Sequence, residues 1–253
     1  MALLFTPLKM GAQTLPNRIC VPPMCCCLAR EGVGSDELIA HYEKLAASGA
    51  GLVVIEATAV RADGRITTRC LGLYNDEQER FFKRLLKACR AVAPAETKFF
   101  LQLSHCGRKG SRKDPKTGHG TLLPEEGGFA LMAPSAVAYT PQAPMPREMT
   151  EADIDRMLQA FEAAAHRAAR VGFDGIQIHA AHGYLVHQFL SPVTNRRTDN
   201  WGGSLQNRQR FALEVVKAVQ RGAPELDVMV RLSACDWMQN GAGEEQALSL
   251  ACA

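Results

Sequence analysis

The sequence predicts an α/β protein of the (β/α) barrel type, with about five of the eight strand–helix units of a closed barrel. Five short apolar segments with strand-like composition alternate with four amphipathic helical segments, which is the order of a parallel sheet covered by helices. No Gly-x-Gly-x-x-Gly turn follows any of these strands, and this absence favours a barrel over a doubly wound dinucleotide-binding sheet. A closed barrel needs eight strands, so the sequence predicts a single, incomplete barrel domain over residues 1–253.

The five strands are predicted from apolar runs bounded by turn residues. The second is a nearly continuous run of β-branched side chains, as expected for a strand covered on both faces. The predicted strands are residues 17–21, 51–57, 98–104, 175–179 and 227–233. The first strand ends before Pro22, because proline cannot donate to a sheet ladder.

The four helices are predicted from apolar residues at helical spacing and from their end signals. Ser35, Thr150 and Ser204 are the expected N-caps of the first, third and fourth helices. The second helix is recognised from Phe81 to Val92. Each helix is expected to stop at a glycine or proline that follows it: Gly49, Pro94, Gly172 and Gly222.

Residues 108–149 follow the third strand and show no sustained periodicity, with many glycines and prolines. A connection of this length in a compact domain is typical of a lid or a binding excursion, so we expect it to cover the site. Its basic residues admit two interpretations, a contact with a cofactor phosphate or a solvated loop. They are Arg108, Lys109, Arg112, Lys113 and Lys116.

Composition excludes several classes of function. The formal net charge is only +3, from 29 basic and 26 acidic residues, so no global field favours nucleic acid or an anionic membrane. No apolar run is long enough to span a bilayer, and the N-terminus lacks the order of a signal peptide. Nine cysteines without paired C-x-x-C spacing indicate reduced thiols. We therefore expect a cytoplasmic protein that acts on small molecules.

The fourth strand and the residues after it carry the densest chemistry in the chain. His179 ends the apolar run, and His182 and Tyr184 follow within five positions. At the carboxyl edge of a parallel sheet these side chains would face one volume, where two imidazole donors polarise a carbonyl and the phenol supplies a proton. Two other interpretations are structural histidines and a zinc site. Metal ranks last, because the H-E-x-x-H pattern is absent.

Several stretches in their order along the chain resemble the Old Yellow Enzyme family of flavin-dependent ene-reductases, particularly its bacterial, shorter, thermophilic-like class. They include LFTPLKMGAQTLPNRICVPPMC, LQLSHCGRK, FDGIQIHAAHGYLVHQFLSPVTNRRTDNWGGSLQNRQRF and VMVRLSA. The resemblance implies a TIM barrel of the FMN-linked oxidoreductase type. It also implies an NAD(P)H-dependent enzyme that passes hydride through FMN to the β-carbon of an α,β-unsaturated carbonyl compound.

The resemblance also implies a role for each matching residue. Pro23, Met24, Cys25 and Ala57 would lie along the flavin ring, Gln102 would bind its pyrimidine edge, and Arg231 would sit near flavin N1. His179 and His182 would bind the substrate carbonyl oxygen, and Tyr184 would protonate the α-carbon. Without the resemblance, Gln102 and Arg231 are interpreted as polar residues that pair with other strand-end groups inside the barrel. Cys25 is then interpreted as an inert buried thiol.

Two departures from the family pattern stand out. Cys27 occupies a position where the short class commonly has an aromatic residue that contacts substrate, so a different substrate fit is expected. The strands that would complete the barrel are absent, which suggests a truncated chain with open sheet edges.

Two alternatives to the ene-reductase remain open. One is a non-catalytic barrel fragment that binds no flavin. The other is the N-terminal part of a larger flavin and iron-sulfur reductase acting on 2,4-dienoyl-CoA or steroid enones. The expected partners are a small-molecule enone and, as an open possibility, further copies of the same chain.

Overall fold

The computed structural model describes residues 2–253 and contains twelve strands and six α-helices. The strands are β1 (Leu8–Met10), β2 (Gln13–Leu15), β3 (Cys20–Val21), β4 (Ala29–Arg30), β5 (Val33–Gly34), β6 (Leu52–Ala59), β7 (Leu71–Gly72), β8 (Lys98–Ser104), β9 (Met132–Ala133), β10 (Arg147–Glu148), β11 (Gly175–Ala180) and β12 (Asp227–Leu232). The helices are α1 (Asp36–Ala46), α2 (Asp76–Val92), α3 (Glu151–Val171), α4 (Leu185–Leu190), α5 (Leu205–Gly222) and α6 (Glu244–Ala251).

The main sheet is parallel, and its strands lie side by side in chain order. The order is β3, β6, β8, β11 and β12, with the short β7 paired to the end of β6. Helices α1, α2, α3 and α5 connect successive strands. This neighbour-to-neighbour order is that of a (β/α) barrel, whereas a doubly wound sheet reverses its order partway. The predicted fold class and the five predicted units are confirmed, with β3 and β12 at the two edges of the sheet.

The alternation of side chains along the strands separates two cores. On β11, Ile176, Ile178 and Ala180 pack in the large core between the sheet and the helices. Gln177 and His179 therefore face the opposite, concave side, because successive side chains of a strand point to opposite faces. The lower part of the concave side is filled by a small apolar cluster of Leu15, Leu52, Val54 and Phe100.

A hairpin of β1 and β2 closes the bottom of the concave side. The carboxylate of Asp227, the first residue of β12, accepts hydrogen bonds from the backbone N–H groups of Ala12 and Gln13 at 3.0 to 3.2 Å. These bonds join the N-terminal hairpin to the last strand of the sheet, across more than 200 residues of sequence.

The predicted helix ends are confirmed where a capping side chain marks them. Ser35, Thr150 and Ser204 each accept a hydrogen bond from a backbone N–H of the first helical turn. Gly172 follows α3 in the left-handed conformation at φ 97°, which glycine adopts without strain. Each of these helices therefore begins at a local contact of its own sequence, and α3 also ends at one.

Three elements differ from the prediction. Strand β3 is only two residues long, and α2 begins at Asp76 rather than near Phe81. The earlier start of α2 comes from a capping box in which the side chains of Asn75 and Gln78 each bond the other's backbone N–H. Helix α4 was not predicted, since it is only six residues long and five of them are buried, so its sequence shows no amphipathic period.

Buried and half-buried arginines hold the excursion of residues 108–149 together and fasten it to the barrel. The Arg108 side chain donates to the carbonyl oxygens of Val137 and Ala138. Arg197, from the loop after α4, donates to the carbonyl oxygens of Pro134 and Met149 at 2.9 and 2.6 Å. Within residues 2–253, no helix is both long and apolar enough to cross a membrane.

The concave core leaves no room for a methyl group at Gly175. A Cβ built there would lie 2.3 to 2.6 Å from the ring carbons of Phe100, which is fully buried beside it on β8. We expect Gly175→Ala to lower the free energy of unfolding by about 1 to 3 kcal/mol through overpacking. Urea denaturation measures this change. Gly118→Ala is the control, because its Cβ would meet its nearest neighbour at 3.9 Å, and an equal loss in both variants would contradict the packing argument.

Glu56 is a buried carboxyl group near the carboxyl end of β6, with 1% of its surface exposed. Its Oε2 accepts the backbone N–H of Cys26 at 3.1 Å, and its Oε1 lies 3.5 Å from the Tyr42 hydroxyl. Burial raises the pKa of Glu56 to about 7, against the partial opposition of these hydrogen bonds. The folded protein therefore holds this proton more tightly than the unfolded chain, in which the pKa is 4.5.

This pKa shift makes stability depend on pH. The stabilising effect of the protonated form is complete below pH 4.5 and is lost as pH rises through about 7. Relative to Glu56→Gln, the wild-type free energy of unfolding should fall by up to about 3 kcal/mol between pH 4.5 and 8. Denaturation of both proteins across this pH range gives the two free energies of unfolding. A cost of the amide side chain that does not depend on pH cancels when the two pH trends are compared. Glu37→Gln, at an exposed carboxyl on α1, is the matched control; the same pH trend there would refute the assignment to Glu56.

Candidate functional site

The pairing of β11 with its two neighbours builds the polar part of the concave face. Gln177 lies opposite Gln102 of β8, and His179 lies opposite Arg231 of β12. Gln102 donates from Nε2 to Oε1 of Gln177 at 2.6 Å. Four side chains from three strands are thereby gathered near the carboxyl edge of the sheet.

His179 is buried and held in one tautomer. Its exposed surface is 3%, and its Nδ1 accepts the backbone N–H of Ala181 at 3.3 Å. The neutral ring must then carry its proton on Nε2, which becomes a hydrogen-bond donor. Burial, followed by the charges of His182 and Arg231, lowers the pKa of His179 to about 3. The ring is therefore neutral at physiological pH.

The two imidazoles and the phenol form one group, as the sequence predicted. The ring centroids of His179 and His182 are 5.1 Å apart, and those of His179 and Tyr184 are 4.9 Å apart, both in edge-on arrangement. Burial lowers the pKa of His182 and raises that of Tyr184. The group thus presents two neutral rings and a protonated phenol.

The turn that carries His182 has an unusual backbone conformation. His182 is at φ 58°, in the left-handed region that non-glycine residues seldom adopt, and Gly183 is at φ 72°. The backbone N–H of His182 donates to Ser233 Oγ at 2.9 Å, and its carbonyl oxygen accepts from Lys109 Nζ at 2.8 Å. Side chains from two other strand ends therefore hold this turn in place.

Two side chains of helix α4 form hydrogen bonds with the backbone of Gly183, the next residue of the turn. The backbone N–H of Gly183 donates to His187 Nδ1 at 2.7 Å, and its carbonyl oxygen accepts from Gln188 Nε2 at 2.7 Å. His187 Nε2 is 2.8 Å from Asp236 Oδ1, and Ser191 donates to the other oxygen of Asp236 at 2.6 Å. The backbone of Gly183, which precedes Tyr184, is thus fixed through a network that reaches the segment after β12.

Lys109 places a positive charge beside the phenol. Its Nζ is 5.1 Å from the ring centroid of Tyr184 and 4.9 Å from that of Tyr139, which belongs to the 108–149 excursion. Burial lowers the pKa of this lysine. Lys109 and Arg108 are half-buried and bonded to backbone carbonyls, so neither behaves as part of a solvated loop.

Two cavities meet at Arg231. One, of about 330 Å³, is lined by Pro23, Gln177 and Arg231, with Cys20, Pro22, Val54, Val230 and Leu232. The other, of about 560 Å³, includes Lys109, His182 and Arg231 in its lining. Arg231 and Leu232 line both cavities, so the two adjoin at the end of β12. Of the predicted catalytic residues, His182 lines the larger cavity, whereas His179 and Tyr184 are not in its lining.

The remaining predicted cofactor residues lie outside the lining of the smaller cavity. Met24 and Cys25 are exposed on the loop after β3, and Ala57 is buried on β6. Gln102 is buried and does not line the cavity itself, but it is hydrogen-bonded to Gln177, which does. In the part of the chain that the structure describes, the lining of this cavity does not include Met24, Cys25 or Ala57.

Several residues of the site were missed by sequence reasoning. Ser233, His187 and Asp236 act on the turn through contacts between segments far apart in sequence, so no local pattern signals them. Gln177 did carry a signal, because a polar side chain inside an otherwise apolar strand must find a partner. From the sequence, Lys109 stood out only as one of the basic residues of the 108–149 excursion.

The chain matches the NADH:flavin oxidoreductase / NADH oxidase family over residues 3–251. An NADH:flavin oxidoreductase of Gibberella zeae is 42% identical over 240 residues, which are 93% of this chain and 57% of the relative. An NADPH dehydrogenase of Listeria welshimeri is 42% identical over 243 residues, which are 95% of this chain and 66% of the relative. The chain thus spans 57 to 66% of the length of these two relatives.

Solved structures show the same fold. Morphinone reductase has a TM-score of 0.82 and 32% identity, with 97% of this chain and 66% of that chain covered. An Old Yellow Enzyme homologue from Zymomonas mobilis has a TM-score of 0.81 and 31% identity, with 97% and 67% covered. A 2-naphthoyl-CoA reductase has a TM-score of 0.87 and 26% identity, with 99% and 38% covered. By its sequence along nearly its whole length, the chain belongs to the NADH:flavin oxidoreductase / NADH oxidase family.

Proposed function

We propose that this chain carries the catalytic face of an FMN-dependent oxidoreductase that transfers hydride from NAD(P)H, through the flavin, to the β-carbon of an α,β-unsaturated carbonyl compound. The observation that carries the proposal is the grouping of His179, His182 and Tyr184 beside Arg231 at one edge of the sheet. Family membership supports the flavin and the nicotinamide donor. A related morphinone reductase structure, solved with tetrahydroNAD, supports the donor further.

The smaller cavity, together with Gln102 beside its lining residue Gln177, fits a flavin ring. The pyrimidine edge of a flavin offers both hydrogen-bond acceptors and an N–H donor, which the amide of Gln102 and the guanidinium of Arg231 match. Pro23 lines the cavity and offers a flat apolar surface. We place Met24, Cys25 and Ala57 along the ring as well. Bound FMN would supply the hydride, and the positive charge of Arg231 would favour its reduced, anionic form.

The imidazoles would bind the substrate carbonyl oxygen. His179 donates from Nε2, because its Nδ1 already accepts a backbone N–H. His182 supplies the second donor from the braced turn. Two donors aimed at one oxygen stabilise the negative charge that develops there and make the β-carbon electron-poor. Rings that stay neutral donate hydrogen bonds to the oxygen and do not supply the proton that is transferred to the α-carbon.

Tyr184 would deliver the proton to the α-carbon. The pKa of its hydroxyl is raised by burial, so the proton is present over the physiological pH range. The Lys109 ammonium group, close to the phenol ring, would stabilise the charge left after proton transfer. We further propose that residues 108–149 act as a lid, since Tyr139 from this excursion joins Lys109 at the larger cavity.

A second candidate is the barrel portion of a larger reductase that acts on a CoA thioester. It is favoured by the likeness to a 2-naphthoyl-CoA reductase, of whose chain this one covers 38%. The two candidates share the carbonyl-binding group and differ in the substrate tail. Comparing reduction of cyclohexenone with reduction of an enoyl-CoA thioester of matched ring size distinguishes them.

The central test measures FMN binding and alkene reduction separately. The chain is titrated with FMN, and cyclohexenone reduction is then followed anaerobically with NADPH. We expect His179→Ala to lower kcat/KM by about 100- to 1000-fold, the usual effect of removing one oxyanion donor, while FMN affinity is retained. His166→Ala, at an exposed histidine on α3, is the matched control.

The outcomes separate the proposal from a non-catalytic fragment. If this chain fails to bind FMN, the same titration is made on a chain extended to the length of its relatives. Failure of both to bind flavin would reject the proposal, whereas flavin binding with equal activity in His179→Ala and wild type would reject the assigned role of His179.

Lys109→Met tests the bracing of the turn. Loss of the Nζ bond to the His182 carbonyl should loosen the donor geometry and lower kcat by about 10- to 100-fold, corresponding to a lost charge-assisted hydrogen bond. FMN affinity should be unchanged, because Lys109 lies on the substrate side. Lys116→Met, at an exposed lysine of the same excursion, controls for the change in net charge. Equal rates in the two variants would show that the bond is dispensable.

A further inference from the structure

The larger cavity of the site contains space that the carbonyl-binding group does not occupy. Its volume is about 560 Å³, and His182 is the predicted catalytic residue in its lining. Pockets of this volume accommodate drug-sized ligands, whereas a single enone ring such as cyclohexenone is much smaller. The volume of the cavity therefore leaves room for a second ring of the substrate beyond the carbonyl.

Three large apolar side chains with high exposure line this cavity. The exposed fraction is 94% for Trp237, 63% for Met238 and 40% for Tyr139. A nearly fully exposed indole contacts little of its own protein, so packing within the folded chain does not account for its place. Large exposed apolar groups that gather at a cavity are typical of a ligand-binding surface.

Trp237 lies on a loop, residues 236–242, whose two ends are bonded to each other. The backbone N–H of Asp236 donates to the carbonyl oxygen of Ala242 at 2.9 Å, and the backbone N–H of Ala242 donates to Asp236 Oδ2 at 2.6 Å. Gly241 packs so closely on this end of the loop that a Cβ built there would lie 2.6 Å from the Cβ of Asp236. The loop is therefore a closed unit that holds the indole in place.

The carboxylate of Asp236 also joins this loop to the carbonyl-binding turn. Its Oδ1 is 2.8 Å from His187 Nε2, and its Oδ2 accepts the Ser191 hydroxyl at 2.6 Å. His187 in turn accepts the backbone N–H of Gly183 through Nδ1 at 2.7 Å. Because His182 directly precedes Gly183, the indole and the carbonyl-binding imidazole are attached to one hydrogen-bonded network.

The backbone of Trp237 adopts a conformation that bulky residues seldom have. Its φ is 54°, in the left-handed region, and Asn240 of the same loop is at φ 59°. Asparagine tolerates this region well, but a bulky residue there is an outlier. Residues held in such conformations cluster at binding sites, where the surrounding structure supports them. The bonds of Asp236 supply that support here.

The charged side chains of the cavity are largely engaged with the protein itself. Lys109 Nζ donates to the carbonyl oxygen of His182, and Arg108 donates to two backbone carbonyls of the 108–149 excursion. Arg231 lies at the end of the cavity that adjoins the smaller one. The wall around the indole therefore offers a ligand apolar surface more than ionic partners.

We propose that Trp237 is a specificity-determining residue that packs against a second, apolar ring of the substrate, so that the preferred substrates are cyclic enones carrying an aryl group. The inference rests on the proposed function, because it takes the carbonyl end of the substrate to be bound at His182. Met238 and Tyr139 line the same cavity and add apolar surface. Trp237 takes part in no covalent step and acts through stacking and burial of apolar area.

Ligand binding without turnover tests the inference. The FMN-loaded protein is titrated calorimetrically, in the absence of NADPH, with cyclohexenone and with three isomers of phenylcyclohexenone that carry the phenyl group on different saturated ring carbons. The isomers direct the second ring differently from the carbonyl. We expect one of them to bind about 10-fold more tightly than cyclohexenone, as stacking and burial of one aromatic ring predict.

Variants at exposed positions separate a ring contact from a general effect. The readout is the ratio of the affinity for the best phenyl isomer to the affinity for cyclohexenone. Trp237→Ala should abolish most of this preference, whereas Trp237→Phe, which keeps a ring, should retain most of it. Leu248→Ala is the matched control and should show the wild-type ratio, because Leu248 is 65% exposed and lies outside the lining of the larger cavity.

Fluorescence locates the second ring. The chain has two tryptophans, so Trp201→Phe leaves Trp237 as the single emitter. Trp201 lies edge-on to Phe211 at 6.5 Å, and phenylalanine preserves an aromatic ring there. The best phenyl isomer should protect the emission of Trp237 from quenching by iodide more than cyclohexenone does. Tight binding without this protection, or an undiminished preference in Trp237→Ala, would overturn the inference.

The outcomes also separate this inference from the proposed function. Reduction of cyclohexenone with no binding preference for any phenyl isomer would overturn the inference and leave the proposed function standing. Failure of the flavin-loaded protein to bind any of the four enones would reject both.

Discussion

The hydrogen-bonded register of β11 is the constraint on which the site depends. One register places Gln177 opposite Gln102 and His179 opposite Arg231. The same register turns Ile176 and Ile178 toward the helices, where they are fully buried. A slip by one residue would exchange the two faces and bury the polar side chains among the helices. Burial of the isoleucines thus selects the pairing that assembles the polar face.

Rigid support of the turn after β11 follows from that register. Ser233 continues directly from β12, so its hydroxyl arrives at His182 because Arg231 is paired with His179. Lys109 arrives from the end of β8 in the same way. The turn is held from both neighbouring strand ends and from α4 beneath it. A conformation costly for a histidine is therefore maintained by contacts that the fold already provides.

Local patterns account for most of the fold and for part of the site. Strand β8 was predicted residue for residue, and the capped starts of α1, α3 and α5 followed from single serine and threonine side chains. The boundaries that failed were those set by tertiary context, such as the two-residue β3 and the buried α4. The grouping of His179, His182 and Tyr184 was predictable because three nearby residues follow one strand.

The supporting residues were not predictable in the same way. Asp236 reaches the turn only through His187, which lies 49 residues earlier in the chain. Such contacts depend on how loops pack after the sheet has formed. Even the buried Glu56 appeared in the sequence only as a charge at the end of an apolar run, with no sign that Cys26 and Tyr42 would enclose it.

The bond between Asp227 and the N-terminal hairpin bears on how the sheet assembles. Because the strands of the sheet are adjacent in chain order, each strand–helix unit finds its pairing edge on the unit that precedes it in the chain. The hairpin precedes these units, yet the carboxylate that anchors Ala12 and Gln13 belongs to β12. This anchor of the hairpin is consequently complete only when the fifth strand of the main sheet is in place.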